Sequence, residues 1–213
     1  MGLREEIKGD LEILSKKIDF VIIRNYEFLF SKSLGLERDL DLIIKSLSKR
    51  EVLILEEIGY FQISKSRNKS SFCKVLSTKN ELVNIFFLDF HIKNLTGNSI
   101  SYKLGGRFLN NKIIKEGIPI PSKTDYLLGL IMRETLTEGF TKKYDLRIYS
   151  FYKEVDKKEL LTYLKKFFGV RESKKLLNFV EGGDFNSLNR LRTSLKIRFV
   201  LKNLFSYIKT LFF

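Results

Sequence analysis

The chain has one cysteine (Cys73), one histidine (His91), two prolines and no tryptophan in 213 residues. A single thiol excludes an internal disulfide, and one Cys with one His cannot build a Cys/His zinc site. The thirteen glycines are neither clustered nor periodic, and no Pro-rich, Gly/Ser-rich or repetitive stretch occurs, so neither disorder nor a repeat array is indicated. No apolar run is long enough to cross a bilayer. The opening MGLREEIKGDLEILSKKIDF alternates charges with aliphatics at helical spacing, unlike a secretory leader. A cytoplasmic setting is therefore expected, with a peripheral position at the inner membrane face also open.

Acidic groups are scarce too. Lys plus Arg number 39 against 25 Asp plus Glu, for a net charge of +14. Such a surface attracts phosphates, nucleic acid or anionic lipid. From Leu188 to Phe213 the chain has Arg190, Arg192, Lys196, Arg198, Lys202 and Lys209 and no acid. Leu191, Leu195, Ile197, Leu201, Leu204, Ile208 and Leu211 supply apolar positions in the same stretch. This basic amphipathic helix could lie on an anionic membrane surface, bind a polyanion, or dock its apolar stripe on the protein and leave its charges in water.

What is present is an ordinary core-forming composition, 44% hydrophobic, enough for one substantial core and a smaller helical one. Leu3, Ile7, Leu11, Leu14 and Ile18 predict an amphipathic helix. Strand-like runs follow at DFVIIRN (19–25) and DLDLIIK (39–45), joined by the long loop YEFLFSKSLGLER. Ser48 with Glu51 three residues on is a capping box for a helix ending at Gly59. FQISKS, SSFCKVLST and ELVNIFFLDFHIK predict an antiparallel meander turning at KSRNKS and STKNE. Its last strand is the most apolar segment, which predicts a central position covered on both faces. GIPIPSKTD is an extended connector, with Ser122 or Thr124 to cap the next helix, and everything beyond reads helical. The expected architecture is α+β: residues 1–121 a mixed sheet flanked by helices, residues 122–213 a helical domain.

On a strand, residues two apart share a face, so Asp39 and Asp41 project together. Two such carboxylates repel unless a cation sits between them, and hard oxygen donors suit Mg²⁺. Asp89, inside NIFFLDFHI, needs a partner if its strand is buried. If that strand lies beside Asp39–Asp41, three carboxylates complete a site for one or two metal ions, with Asp89 the candidate general base. A salt bridge to Arg24 or Lys93 would satisfy Asp89 equally well. His91 shares Asp89's face, and a strand-end histidine bonded to backbone is its expected state, with a ligand or proton-shuttle role the alternative. Cys73 reads as a small core residue.

In order, FVIIRNYE, ERDLDLII, NIFFLDFHI and GIPIPSKTDYLLGLI resemble the DNA polymerase beta-like nucleotidyltransferase superfamily. Within it they look most like nucleotidyltransferase-like proteins found with surface-polysaccharide genes. The resemblance covers residues 18–138. It implies a small mixed sheet with Asp39, Asp41 and Asp89 as catalytic, Mg²⁺-binding residues. It also implies transfer of a nucleoside monophosphate from an NTP to a hydroxyl of a small acceptor, a sugar or glycan precursor. The superfamily's Gly-Ser phosphate grip is missing here. Ser31, Lys32 and Ser33, with Arg24 as a bidentate donor, are the candidate nucleotide-binding replacements, while an ion pair to an acidic neighbour is the other reading of Arg24. A non-catalytic nucleotide-binding or scaffold module is the alternative function, and a nucleotidyltransferase acting on tRNA or protein a further one.

Overall fold

Helix α1 (Leu3–Lys17) opens the chain and buries Ile7, Leu11 and Leu14, the apolar positions three and four apart that predict it. The computed structural model describes residues 2–31, 35, 37–76, 84–93, 95–96, 101–102, 104–137 and 139–212; of 95–96, 101–102, 142–143 and 204–212 it describes the backbone alone. Lys32, Ser33 and the STKNE turn lie outside the described residues. The described chain divides into two units, residues 1–96 with 101–122, and residues 123–212.

In the first unit, β1 (Phe20–Arg24), β2 (Asp39–Ile44), β3 (Phe61–Lys65), β4 (Lys69–Leu76) and β5 (Asn84–Ile92) form one mixed sheet in the order β1-β2-β5-β4-β3. Only β2 and β5 run parallel; β3, β4 and β5 are the expected antiparallel meander. A short helix α2 (Glu27–Phe30) occupies the start of the long loop after β1. Helix α3 (Lys49–Glu57) carries the full capping box: Ser48 accepts from the Glu51 amide, and the Glu51 carboxylate accepts from the Ser48 amide at 2.5 Å. Gly59, at φ +90°, takes the left-handed turn that releases the chain into β3.

Hairpin β6–β7 (Leu95–Thr96, Ser101–Tyr102) follows the main sheet. Helix α4 (Gly105–Asn110) then packs on β1 and β2. GIPIP is not a free connector: Ile118–Ile120 forms strand β9, paired with β8 (Ile113–Lys115) and packed against β1 and α1.

Strand β5 sits at the centre of the sheet, as its apolar character suggests, but it is not covered on both faces. Phe86, Leu88 and Phe90 are buried, while Ile85 is 45% exposed and Phe87 and Asp89 are half-buried. The alternation is hidden in the sequence because Ile85 and Phe87 on the open face are as apolar as the residues behind them. Across the same open face Phe61, Ile63 and Val75 are exposed, and Cys73, expected in the core, is only half-buried between Phe61 and Phe87.

The second unit is helical: α5 (Lys123–Leu136), α6 (Lys142–Glu154), α7 (Lys157–Phe168), α8 (Val170–Gly182) and α9 (Phe185–Phe212). Helix α5 begins at Lys123, so Thr124 lies inside it and only Ser122 stands at the capping position. Its buried Tyr126, Leu127, Leu130 and Ile131 form the centre of this core. Helix α9 docks Leu188, Leu195 and Phe199, and the Asn189 side chain bonds both the N–H and the C=O of Phe140 at 2.9 Å. No described helix is long and apolar enough to cross a membrane.

Candidate functional site

Register brings the three aspartates to one face. β2 and β5 pair in parallel with Asp39 opposite Phe87, Asp41 opposite Asp89 and Ile43 opposite His91. Residues directly opposite point the same way, as do residues two apart. Asp39, Asp41, Asp89 and His91 therefore share the open face, while Leu40, Leu42, Leu88 and Phe90, all fully buried, point to the core.

A β-bulge adds a cation. Ile22 pairs with Leu42, and without irregularity Ile23 would oppose Asp41 and turn Arg24 to the other side. Instead the register shifts, and Arg24 stands opposite Asp41. Its guanidinium Nη2 lies 2.7 Å from Asp41 Oδ2, and His91 Nε2 lies 2.9 Å from Asp41 Oδ1. Asp41 is 3% exposed. Burial alone would raise its pKa, but the charge of Arg24 and the hydrogen bond and charge of His91 outweigh it and hold the carboxyl well below the usual range. So Arg24 is a structural ion pair here, and His91 meets a carboxylate through Nε2.

Asp89 is satisfied differently from either partner expected for it. Lys69, at the start of β4 and opposite His91 in register, places Nζ 2.7 Å from Asp89 Oδ2. Sequence reasoning missed Lys69 because its alignment with Asp89 depends on the register of β4 against β5, which the residues around Lys69 do not reveal. Asp39 has the weakest support. Its Oδ1 accepts from Asn25 Nδ2 at a long 3.3 Å, and Asn25 reaches it from the left-handed conformation at φ 62° that ends β1. Burial, then the charge of Asp41, push the Asp39 carboxyl up; Arg24 pulls it back and Asp89 adds to the rise. Asn25, itself 6% exposed, keeps a buried Oδ1 with no hydrogen-bond partner. Ser31 caps the end of α2 in extended conformation.

The donor chemistry fits a hard dication at Asp39 and Asp89, whose carboxylates share one face of the sheet, with the unmet, buried amide oxygen of Asn25 belonging to the side chain that meets Asp39. It fits less well at Asp41, whose two oxygens already meet Arg24 and His91. As the side chains stand, no group of three or more His, Cys, Asp or Glu among the described residues is disposed to hold a metal ion. Two of the three carboxylates, Asp41 and Asp89, are instead paired with Arg24, His91 and Lys69.

These environments set opposite stabilities. An ionised Asp39 is disfavoured by the fold: its raised pKa means the folded chain binds that proton more tightly, so stability falls as pH rises through its titration. The variant Asp39→Asn, which keeps the acceptor for Asn25, is expected to be as stable as the wild type at neutral pH or up to about 1 kcal/mol more so. Urea unfolding checks this, and a loss beyond about 1 kcal/mol would mean Asp39 is a structural anchor.

Neither a family model nor a curated protein sequence matches the chain. Among solved structures, it is similar to JHP933 from Helicobacter pylori, with a TM-score of 0.55 and 10% identity over 97% of this chain and 92% of that one. It is also similar to an H. pylori chain described as a "putative nucleotidyltransferase", with a TM-score of 0.52 and 12% identity over 97% and 95%. At such identities the likeness is one of fold: an α+β, nucleotidyltransferase-like fold with a helical C-terminal part.

Proposed function

We propose that the open face of β2 and β5 binds a nucleoside triphosphate with divalent metal, and transfers the nucleoside monophosphate to a hydroxyl of a small acceptor, a sugar or glycan precursor. The observation that carries the reading is the register of Asp39, Asp41 and Asp89 on one face of a sheet with this fold, Asp39 and Asp89 half-buried and Asp41 buried between them and internal cations. The acceptor class rests on the resemblance of the FVIIRNYE, ERDLDLII and NIFFLDFHI segments alone.

Asp39 and Asp89 are the residues that would hold Mg²⁺, with Asp41 joining if Arg24 or His91 releases an oxygen. When bound, the ion neutralises phosphate charge and lowers the pKa of the attacking hydroxyl. The chain's own part is electrostatic. Arg24 and Lys69 flank the carboxylates, and Lys69, 38% exposed, can exchange Asp89 for a phosphate oxygen at small cost. Freed of Lys69, the Asp89 carboxylate accepts the acceptor's hydroxyl proton. Asn25 keeps Asp39 aimed along the face, and Arg24 with His91 fixes Asp41 as a rigid negative post beside it. Ser31, Lys32 and Ser33 are the proposed phosphate contacts from the loop.

Calorimetry of each NTP with and without Mg²⁺ tests this on the wild type and Asp39→Asn. Wild-type binding is expected to need the metal, and Asp39→Asn to weaken it at least about tenfold, a loss of about 1.4 kcal/mol, without loss of fold. Equal affinity in the two proteins would remove the metal site from the account. The second reading, a non-catalytic nucleotide-binding or scaffold module, is favoured by the occupied oxygens of Asp41 and by the missing Gly-Ser pair. Metal-dependent binding with no pyrophosphate release for any hydroxyl acceptor would select it. Action on tRNA is supported by net charge alone, which indicates affinity rather than reaction.

A further inference from the structure

Within the helical unit, α8 and α9 run back to back from the turn at Gly183, whose φ of 66° ends α8 in the left-handed conformation. Near that turn lies an open cavity of about 430 Å³ lined by Lys175, Asn178, Phe179, Ser187, Arg190 and Leu191. Its lining combines two cations, Lys175 and Arg190, with apolar Phe179 and Leu191. A smaller cavity of about 200 Å³ shares Asn178 and adds Lys157, Lys158 and Lys174. Lys157 is paired with Glu181 at 2.6 Å, and at the start of α9 Asp184 accepts from the Ser187 amide at 3.0 Å and also feels the charge of Arg190. Lys158, Lys174 and Lys175 have no acid among the cavity-lining residues.

The same face continues as hydrocarbon. Ile197 and Leu201 follow Arg190 by seven and eleven residues, nearly whole turns of a helix, so all three lie on one stripe about 16 Å long. Ile197 is 54% exposed and Leu201 62% exposed, although α9 has already buried Leu188, Leu195 and Phe199 on its other side. The ion pair of Arg198 with Glu172, at 2.9 Å, ties this end of α9 to the first turns of α8. There Val170 is 56% exposed, and Arg171 and Lys202 are exposed beside it.

We propose that the α8–α9 face is a docking surface for an anionic phospholipid membrane. A lipid phosphate seats in the cavity between Lys175 and Arg190, and Val170, Ile197 and Leu201 enter the headgroup–acyl boundary. Basic groups flanking exposed aliphatics are the pattern such a surface needs, since charge brings the protein to the lipid and apolar burial retains it. Nucleic acid fits less well: its bases stack on exposed aromatic rings, whereas Phe179 in the cavity lining is half-buried and the well-exposed apolar residues Val170, Ile197 and Leu201 are aliphatic. A second copy of the chain would present the same cations and be repelled.

Pelleting of the full chain with vesicles tests the proposal. Binding to vesicles of equal parts phosphatidylglycerol and phosphatidylcholine is expected, falling with added salt, with little binding to phosphatidylcholine alone. Lys175→Glu/Arg190→Glu should reduce partitioning by about tenfold or more, and Ile197→Ser/Leu201→Ser by a similar factor, leaving binding that still falls with added salt. Because the chain has no tryptophan, Ile197→Trp adds a unique fluorophore whose emission should shift to the blue on anionic vesicles. Equal binding to both vesicle types, absence of pelleting, or an unshifted emission would overturn the proposal. So would variants that lose tRNA retention on a filter while keeping vesicle partitioning. Circular dichroism of each variant establishes that the helices remain.

Discussion

Replacing Arg24 with methionine should cost about 3 kcal/mol of stability at neutral pH. Methionine keeps most of the aliphatic stem, so the loss reports the missing charge rather than a cavity. Asp41 is buried, and burial is the largest influence on its carboxyl; Arg24 is the largest opposing one, followed by His91. Removing Arg24 leaves an ionised group in the sheet whose remaining charged partner among the described residues is the imidazole. The pH dependence carries the sign. Asp41 has a depressed pKa in the folded chain, so it stabilises the fold above the unfolded carboxylate range and that contribution is lost on acidification below about pH 5. The difference between wild type and Arg24→Met should therefore be greatest near neutrality and shrink towards pH 3. Urea unfolding at both ends of that range measures it. A difference that is small, or constant across it, would show that the pair is dispensable and Arg24 available for other work.

The second large effect is expected at Gly105→Ala. Gly105 is the first residue of α4, and a Cβ there would overlap the carbonyl carbon and oxygen of Lys93 and meet Ile43 Cγ2 at 3.3 Å. The obstacle is backbone, which cannot swing aside. Lys93 is itself held in the left-handed region at φ 63°, with its amide bonded to the Ile44 carbonyl at 2.9 Å. One methyl group should therefore cost about 1–3 kcal/mol through displaced backbone. The strain falls two residues beyond His91, so triphosphate affinity should drop along with the denaturation midpoint if the open face is the binding site. Accommodation of alanine with unchanged stability would mean that α4 packs on the sheet more loosely than its placement indicates.

How far the sequence alone leads depends on whether a feature is set locally. The capping box of α3 is two residues reading each other across one turn, and Ser48 with Glu51 was enough to find it. Asp39 and Asp41 share a face by strand geometry, also local. Asp89 joins them through the parallel pairing of β2 with β5, across more than forty residues, and only the apolarity of NIFFLDFHI hinted at a neighbouring place. The bulge at Ile23 was not legible, because nothing in FVIIRN distinguishes a strand that keeps step from one that slips by a residue. That slip decides whether Arg24 faces Asp41. Lys69 was missed for a related reason: a hairpin's alignment follows the geometry of its turn. Nothing near His91 in sequence points to Asp41, which lies fifty residues away. Cys73 and the open half of β5 were misplaced since hydrophobicity reports a preference for burial and is silent about which side of a sheet goes uncovered.

One feature of that sheet bears on how the protein behaves in bulk. Strand β3 ends the sheet, pairing on one side only among the described residues, and its Phe61 and Ile63 are 64% and 54% exposed. A rim of this kind is adhesive towards any other extended backbone. Lys65 and a net charge of +14 supply the repulsion that keeps such rims apart. Colloidal behaviour should then run opposite to that of most proteins purified at moderate ionic strength: dilute buffer preserves dispersion, and screening the charge with salt lets the rims find one another.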